Sequence, residues 1–182
     1  MPKVTTERTI YTYSYLHLAG WSELKEAEQA LEGRFFNCLA SMLFCAFTLE
    51  AYLNHIGPMY VPNWWQKERN LGRRGRLVAV CQKLHFVPNL ERRPFRTFSE
   101  IFDFRDALVH GRTVHLSTEH ESKRMAHIPK YPKGAWEKQV ALKAAGRFHN
   151  DTAKMIHRLH KLAGFSEDPF TSPWKASWES RP

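Results

Sequence analysis

Three residues in one short stretch, Arg105, Asp106 and His110, have the side-chain types that phosphoryl chemistry needs. An imidazole titrates near neutrality and moves a proton in either direction. A guanidinium is a permanent, forked donor that stabilises charge developing on phosphate oxygens. Asp106 and His110 are four residues apart, so on a helix they share a face. A carboxylate so placed orients an imidazole and raises its basicity.

The elements that must hold these residues follow from periodicity. At about 100° per residue, Phe98, Ile101, Phe102, Leu108 and Val109 fall within one apolar arc, and Arg105 lies near its middle. A guanidinium in that position requires an anion or a tight hydrogen-bond set. Upstream, Glu50 is the only charge between Phe35 and Asn54 and likewise requires a partner. An Arg105–Glu50 ion pair that sets helix register stands beside the catalytic reading of Arg105. His110 before Gly111 also suits a helix C-terminus, where the dipole favours a cation.

Four main helices are expected, and an antiparallel bundle is their natural architecture. The first covers residues 23–56, apolar on almost every side in its second half, with Gly33 as a point of division and Gly57-Pro58 as its stop. The second fits 75–86. The third fits 93–110, with Pro94 in its first turn and Gly111 behind it. The fourth fits 135–163 and ends at Gly164. The alternation of Tyr11, Tyr13 and Tyr15 reads as an extended N-terminal arm, which pairs with residues 113–117 in a short ribbon. Residues 118–134 read as loop. The organisation is an arm at 1–21, a helical domain at 22–164 and a tail at 165–182, whose Phe170, Trp174 and Trp178 dock on the body.

The chain has 182 residues and a formal net charge of +9. Residues 62–133 hold most of the excess, with 15 basic and 7 acidic side chains, whereas residues 134–182 hold 8 and 5. Arg73, Arg74, Arg76, Arg92, Arg93, Arg96 and Arg112 are therefore candidate phosphate contacts. Trp64 and Trp65 suit either a bundle cap or base stacking. A recognition helix for DNA is not expected, because the second helix is too apolar.

Other chemistries find no support. Cys38, Cys45 and Cys81 form no CxxC pair, so structural zinc is not expected, and an odd number of thiols suits a reducing, cytoplasmic setting. His157 and His160 are spaced to pinch a metal but have no third ligand at helical spacing, so a solvated basic face is the reading there. No cofactor is implied, since neither a glycine-rich phosphate loop nor a nucleophile elbow occurs. The run Phe35–Leu49 is short for a membrane span and reads as a buried helix, and the first fifteen residues lack an apolar signal core.

Arg105, then Asp-Ala-Leu-Val, then His110, resembles the Arg-x4–6-His motif of the HEPN superfamily of helical domains, in which a polar residue commonly follows the arginine. The stretch FTLEAYLNHIG, with Glu50 and Asn54 as supporting residues, is similar to the first-helix signature of bacterial members. The resemblance implies a metal-independent endoribonuclease, of the toxin or defence-effector kind. Two protomers join their motifs across a homodimer interface. The RNA 2′-hydroxyl attacks, leaving a 2′,3′-cyclic phosphate and a 5′-hydroxyl. Arg105 would then stabilise the phosphate, His110 act as acid–base and Asp106 orient His110. An antitoxin is an implied partner, although Arg112 stands where nucleotidyltransferase-regulated toxins carry the modified tyrosine. The alternative is a non-catalytic dimeric module of the same layout that binds RNA or protein.

Overall fold

The computed structural model describes residues 3–118 and 131–181. The described chain is mostly helical, with one two-stranded antiparallel sheet. Strand β1, Lys3–Ile10, leads into α1, Thr12–Gln29, and α2, Arg34–Tyr60. The short helices α3, Trp64–Asn70, and α4, Arg73–Lys83, occupy the connection to α5, Arg96–Val109. A single 3-10 turn at Glu137–Gln139 precedes α6, Leu142–Leu162, and β2, Trp174–Arg181, closes the chain.

α2 is the centre, because it is apolar on most sides and every other long helix packs on it. It has the length and hydropathy of a membrane span, yet here it buries Cys38, Met42, Cys45, Leu49, Tyr52 and Ile56 in the core. Cys38 and Cys45 share a buried face, as their spacing of seven implies, and all three thiols are free. α1 doubles back on α2 through a four-residue turn, residues 30–33. Gly33 ends that turn at φ 72°, a left-handed conformation that a residue with a Cβ adopts at a cost. It divides the expected first helix in two, as its type suggests.

The helix expected to stop at residue 56 continues four residues further, because Pro58 falls in the last turn of α2, which runs on to Tyr60. Gly57 has a different role. Trp64 lies flat against it, and a Cβ at Gly57 would sit 2.4 Å from the indole ring. Trp64 is thereby buried and closes that end of the helices, while Trp65 stays exposed.

The ribbon departs from expectation. β1 pairs with β2 in the register Lys3↔Arg181 to Ile10↔Trp174, so its partner is the C-terminal tail. Residues 113–117 are exposed and belong to no strand. Residues 12–21, expected in the arm, are helical instead. The tyrosine alternation misleads because Tyr13 is buried while Tyr15 points outward and accepts a hydrogen bond from Arg8 at 3.0 Å. Phe170 docks as expected, stacked on His17 at 3.7 Å, whereas Trp174 remains largely open beneath the Arg8 guanidinium. Trp178 is described as a strand position only. Most of the expected loop at 118–134 lies outside the described residues.

Candidate functional site

The apolar arc of α5 is covered over most of its length. Phe98, Ile101, Phe102 and Phe104 are buried, and then the helix runs out of the core. Leu108 is half-buried and Val109 is 56% exposed, although both continue the arc. Arg105 stands at this rim with its side chain 21% exposed. Its Nη1 donates to Asp106 Oδ1 at 3.0 Å, and its buried Nε has no partner among the described residues.

The partner of Glu50 is Arg73, not Arg105. Arg73 opens α4 and lies with its guanidinium 5.1 Å from the Phe102 ring. Its Nε donates to Glu50 Oε1 at 3.2 Å and its Nη1 to Asp106 Oδ2 at 2.5 Å. Two arginines and two carboxylates from α2, α4 and α5 thus form one continuous network. Burial by itself would raise the Asp106 carboxyl, but hydrogen bonds from Arg105 and Arg73 outweigh it and hold the group below the usual carboxylate range. The same bonds, from Asp106 and Glu50, overcome burial at Arg73 and push its guanidinium further up.

No hydrogen bond joins the Asp106 carboxylate to the His110 ring among the described residues, and each Asp106 oxygen instead accepts from an arginine. His110 is the C-cap of α5, exposed, and its backbone N–H donates to the Asp106 carbonyl at 2.9 Å. Its ring has no hydrogen-bond partner among the described residues. Asn54, one turn beyond Glu50, takes no part in the network. Its buried Oδ1 lacks a partner among the described residues, and it lines a cavity of about 330 Å³ with Tyr11, Thr12 and His55.

Of the other candidate arginines, three have a carboxylate partner among the described residues and three do not. Arg76 pairs with Glu68 at 3.0 Å, and Arg96 with Glu100 at 3.3 Å. Arg93 lies 3.8 Å from the buried Asp151, whose Oδ2 accepts from Thr97 at 2.5 Å. Arg74, Arg92 and Arg112 are exposed and without a carboxylate partner among the described residues.

A second constellation was not visible from spacing. The tail folds over the ends of α1, α2 and α6 and encloses a cavity of about 710 Å³. Tyr11, Tyr13, His55, His160 and Phe165 form its aromatic walls, with Glu167, Asp168 and Lys175 at its edge. Tyr52 Oη and His160 Nδ1 lie 3.3 Å apart, and His157 Nε2 meets Asp168 at 2.9 Å. His17 is stacked between His149, at 4.3 Å, and Phe170. Burial, reinforced by His149 and His157, pushes the His17 imidazole down to about 3. His157 and His160 were noticeable in the sequence, but the tail that joins them to Asp168 and Phe165 was not. Among the described residues no three His, Cys, Asp or Glu side chains are arranged as a metal-ligand set.

No protein-family model, curated protein or solved structure matches this chain.

Proposed function

We propose that the chain is a metal-independent endoribonuclease of HEPN-like four-helix layout, acting as a homodimer, in a toxin or defence role. The observation that supports this reading is the rim of α5. There the half-buried Arg105 keeps unused donor capacity, and the exposed His110 follows one turn later. Arg105 supplies fixed positive charge to a phosphate in flight, and His110 exchanges the protons of the 2′-hydroxyl and the leaving 5′-oxygen. Asp106, Arg73 and Glu50 are positioning residues that hold Arg105 rather than His110. The exposed Val109, followed by Val114 and Leu116, offers a second copy an apolar surface beside this pair.

A second reading, a non-catalytic RNA-binding or protein-interaction module, is favoured by one observation. The His110 ring has no orienting carboxylate among the described residues, and Asp106 is taken by arginine.

One assay separates them. Mixed RNA is incubated with the purified chain and a chelator, alongside Arg105→Ala and His110→Ala. The parent is expected to leave 2′,3′-cyclic phosphate ends, and each variant to lose at least about 100-fold in rate. Intact RNA in the presence of a well-folded parent dimer would sink the nuclease reading and leave the module.

A further inference from the structure

We infer that the outer face of α6, together with the loop before α5, is a binding groove for single-stranded nucleic acid. The inference takes its ligand class from the RNA reading above, but its place comes from charge and shape alone.

Two cavities adjoin along this face and share Arg93. The first, about 440 Å³, is lined by Arg93, Lys138, Lys143 and Arg147. The second, about 370 Å³, is lined by Arg92, Arg93, Lys154 and Arg158. Among the described residues, seven cations line the two walls and no carboxylate does. Arg147 pairs with Glu100 at 2.9 Å and Arg93 lies 3.8 Å from Asp151, while Arg92, Lys138, Lys143, Lys154 and Arg158 have no carboxylate partner among the described residues. Two carboxylates do not neutralise seven cations, so the face keeps a positive field that draws anions.

The helix sets the pattern. Lys143, Arg147, Lys154 and Arg158 are separated by four, seven and four residues. At about 100° per residue they fall within about 60° of arc, and at about 1.5 Å per residue they extend over about 22 Å. Lys161 continues the line and is exposed. The opposite face carries Ala145, Phe148, Thr152, Met155, Ile156 and Leu159 into the core, which fixes the stripe outward. No side chain caps the first turn of α6, and Ala141, Lys143 and Ala144 from that turn form part of the first cavity. Its open N–H groups add to the same potential.

A line of this length suits a chain of phosphates better than one small anion. Concavity and apolar surface then favour a single strand over a duplex. Val87 is 87% exposed at the second cavity, and Phe86 lies there under the Arg158 guanidinium at 5.2 Å. Bases turned inward from a single strand find these surfaces, whereas a duplex keeps its bases stacked inside.

The groove meets the start of α5, and the proposed cleavage pair lies at its end, about 20 Å along the helix. A strand held on α6 would therefore reach Arg105 and His110 from a distinct anchoring surface.

The test is fluorescence anisotropy with labelled U20 RNA, dT20 DNA and phosphatidylserine vesicles, across a range of salt. The full chain carries His110→Ala throughout, so that the probe is not cut. A groove triple, Lys143→Gln with Lys154→Gln and Arg158→Gln, is compared with a control triple, Lys67→Gln with Arg69→Gln and Lys83→Gln, of equal charge. Circular dichroism checks that both fold.

RNA and DNA are expected to bind similarly, since the groove meets phosphates. The groove triple should lose at least about tenfold in affinity at moderate salt, and its log–log salt slope should flatten by about 2. The control triple should change little. Equal losses in both triples would overturn the proposal, as would a chain that binds vesicles but neither oligonucleotide. If groove-dependent binding persists while the unmutated chain fails to cut RNA, the nuclease reading falls and the groove stands.

Discussion

The arginine network at the end of α5 and the cationic stripe on α6 carry charge of the same sign in opposite states. In the network, Arg73 and Arg105 face Glu50 and Asp106, and each charge has its counterpart within the fold. On α6, Lys143, Lys154 and Arg158 have no carboxylate partner among the described residues, and the groove they line contains none. Charge paired internally holds helices in place and has a weak field outside. Charge left uncompensated contributes little to the fold but attracts a partner from a distance. Within residues 62–133, Arg73, Arg76, Arg93, Arg96 and Arg105 face carboxylates of the fold, whereas Arg74, Arg92 and Arg112 are exposed and have no carboxylate partner among the described residues.

Arg73 is the residue on which the network depends most. Arg73→Ala removes the donor shared by Glu50 and Asp106 and leaves both carboxylates part-buried. A loss of about 2–3 kcal/mol is expected, since hydrogen bonds to charged groups are each worth about 1.5–3 kcal/mol and solvent screens part of that here. Urea denaturation measures it, and a change under about 0.5 kcal/mol would mean the network is ornamental to the fold.

Acid titration distinguishes the network from the histidines under the tail. His17 is pushed down to about 3, so it stays neutral in the fold while the unfolded chain takes up protons below about 6.5. Its contribution is complete above that value and is lost as pH falls from about 6.5 toward 3. His149, also lowered chiefly by burial, acts in the same direction. Asp106 works in a lower window, because its stabilisation is complete above the ordinary carboxylate value and is lost only as pH falls below it. A melting temperature that declines between pH 7 and pH 5, with a shallower slope in His17→Phe, is the expected result. An unchanged slope in that variant would assign the decline elsewhere.

The smallest effect is expected on α6. Lys154→Gln should alter stability by no more than about 0.5 kcal/mol, as for an exposed side chain without a partner. A larger loss by urea denaturation would show that the stripe has a structural role and would blur the contrast with Arg73.

Much of the helical layout was legible. Gly33 divided the first helix, the seven-residue spacing of Cys38 and Cys45 put both in the core, and α5 ended before Gly111. The oddity of Arg105 and Glu50 was also legible, since each interrupts an apolar pattern. Their partners were not. Arg73 and Glu50 are 23 positions apart and Arg73 and Asp106 are 33 apart, and no local periodicity relates them. A basic face on the fourth helix was legible, but the groove was not, because Arg92, Arg93 and Lys138 reach it from other elements.

By itself, then, the sequence determined which face of each helix is apolar and where Gly33 and Gly111 interrupt the chain. Those features depend on side chains within a few residues of each other and on the backbone freedom of single positions. Packing in three dimensions alone established that Glu50 meets Arg73, that both Asp106 oxygens accept from arginine, and that β1 pairs with tail residues 164 to 178 positions away. The physical reason is that an ion pair or a strand ladder selects its partner by proximity in space, and any of several arginines would have satisfied Glu50 equally well on chemistry alone.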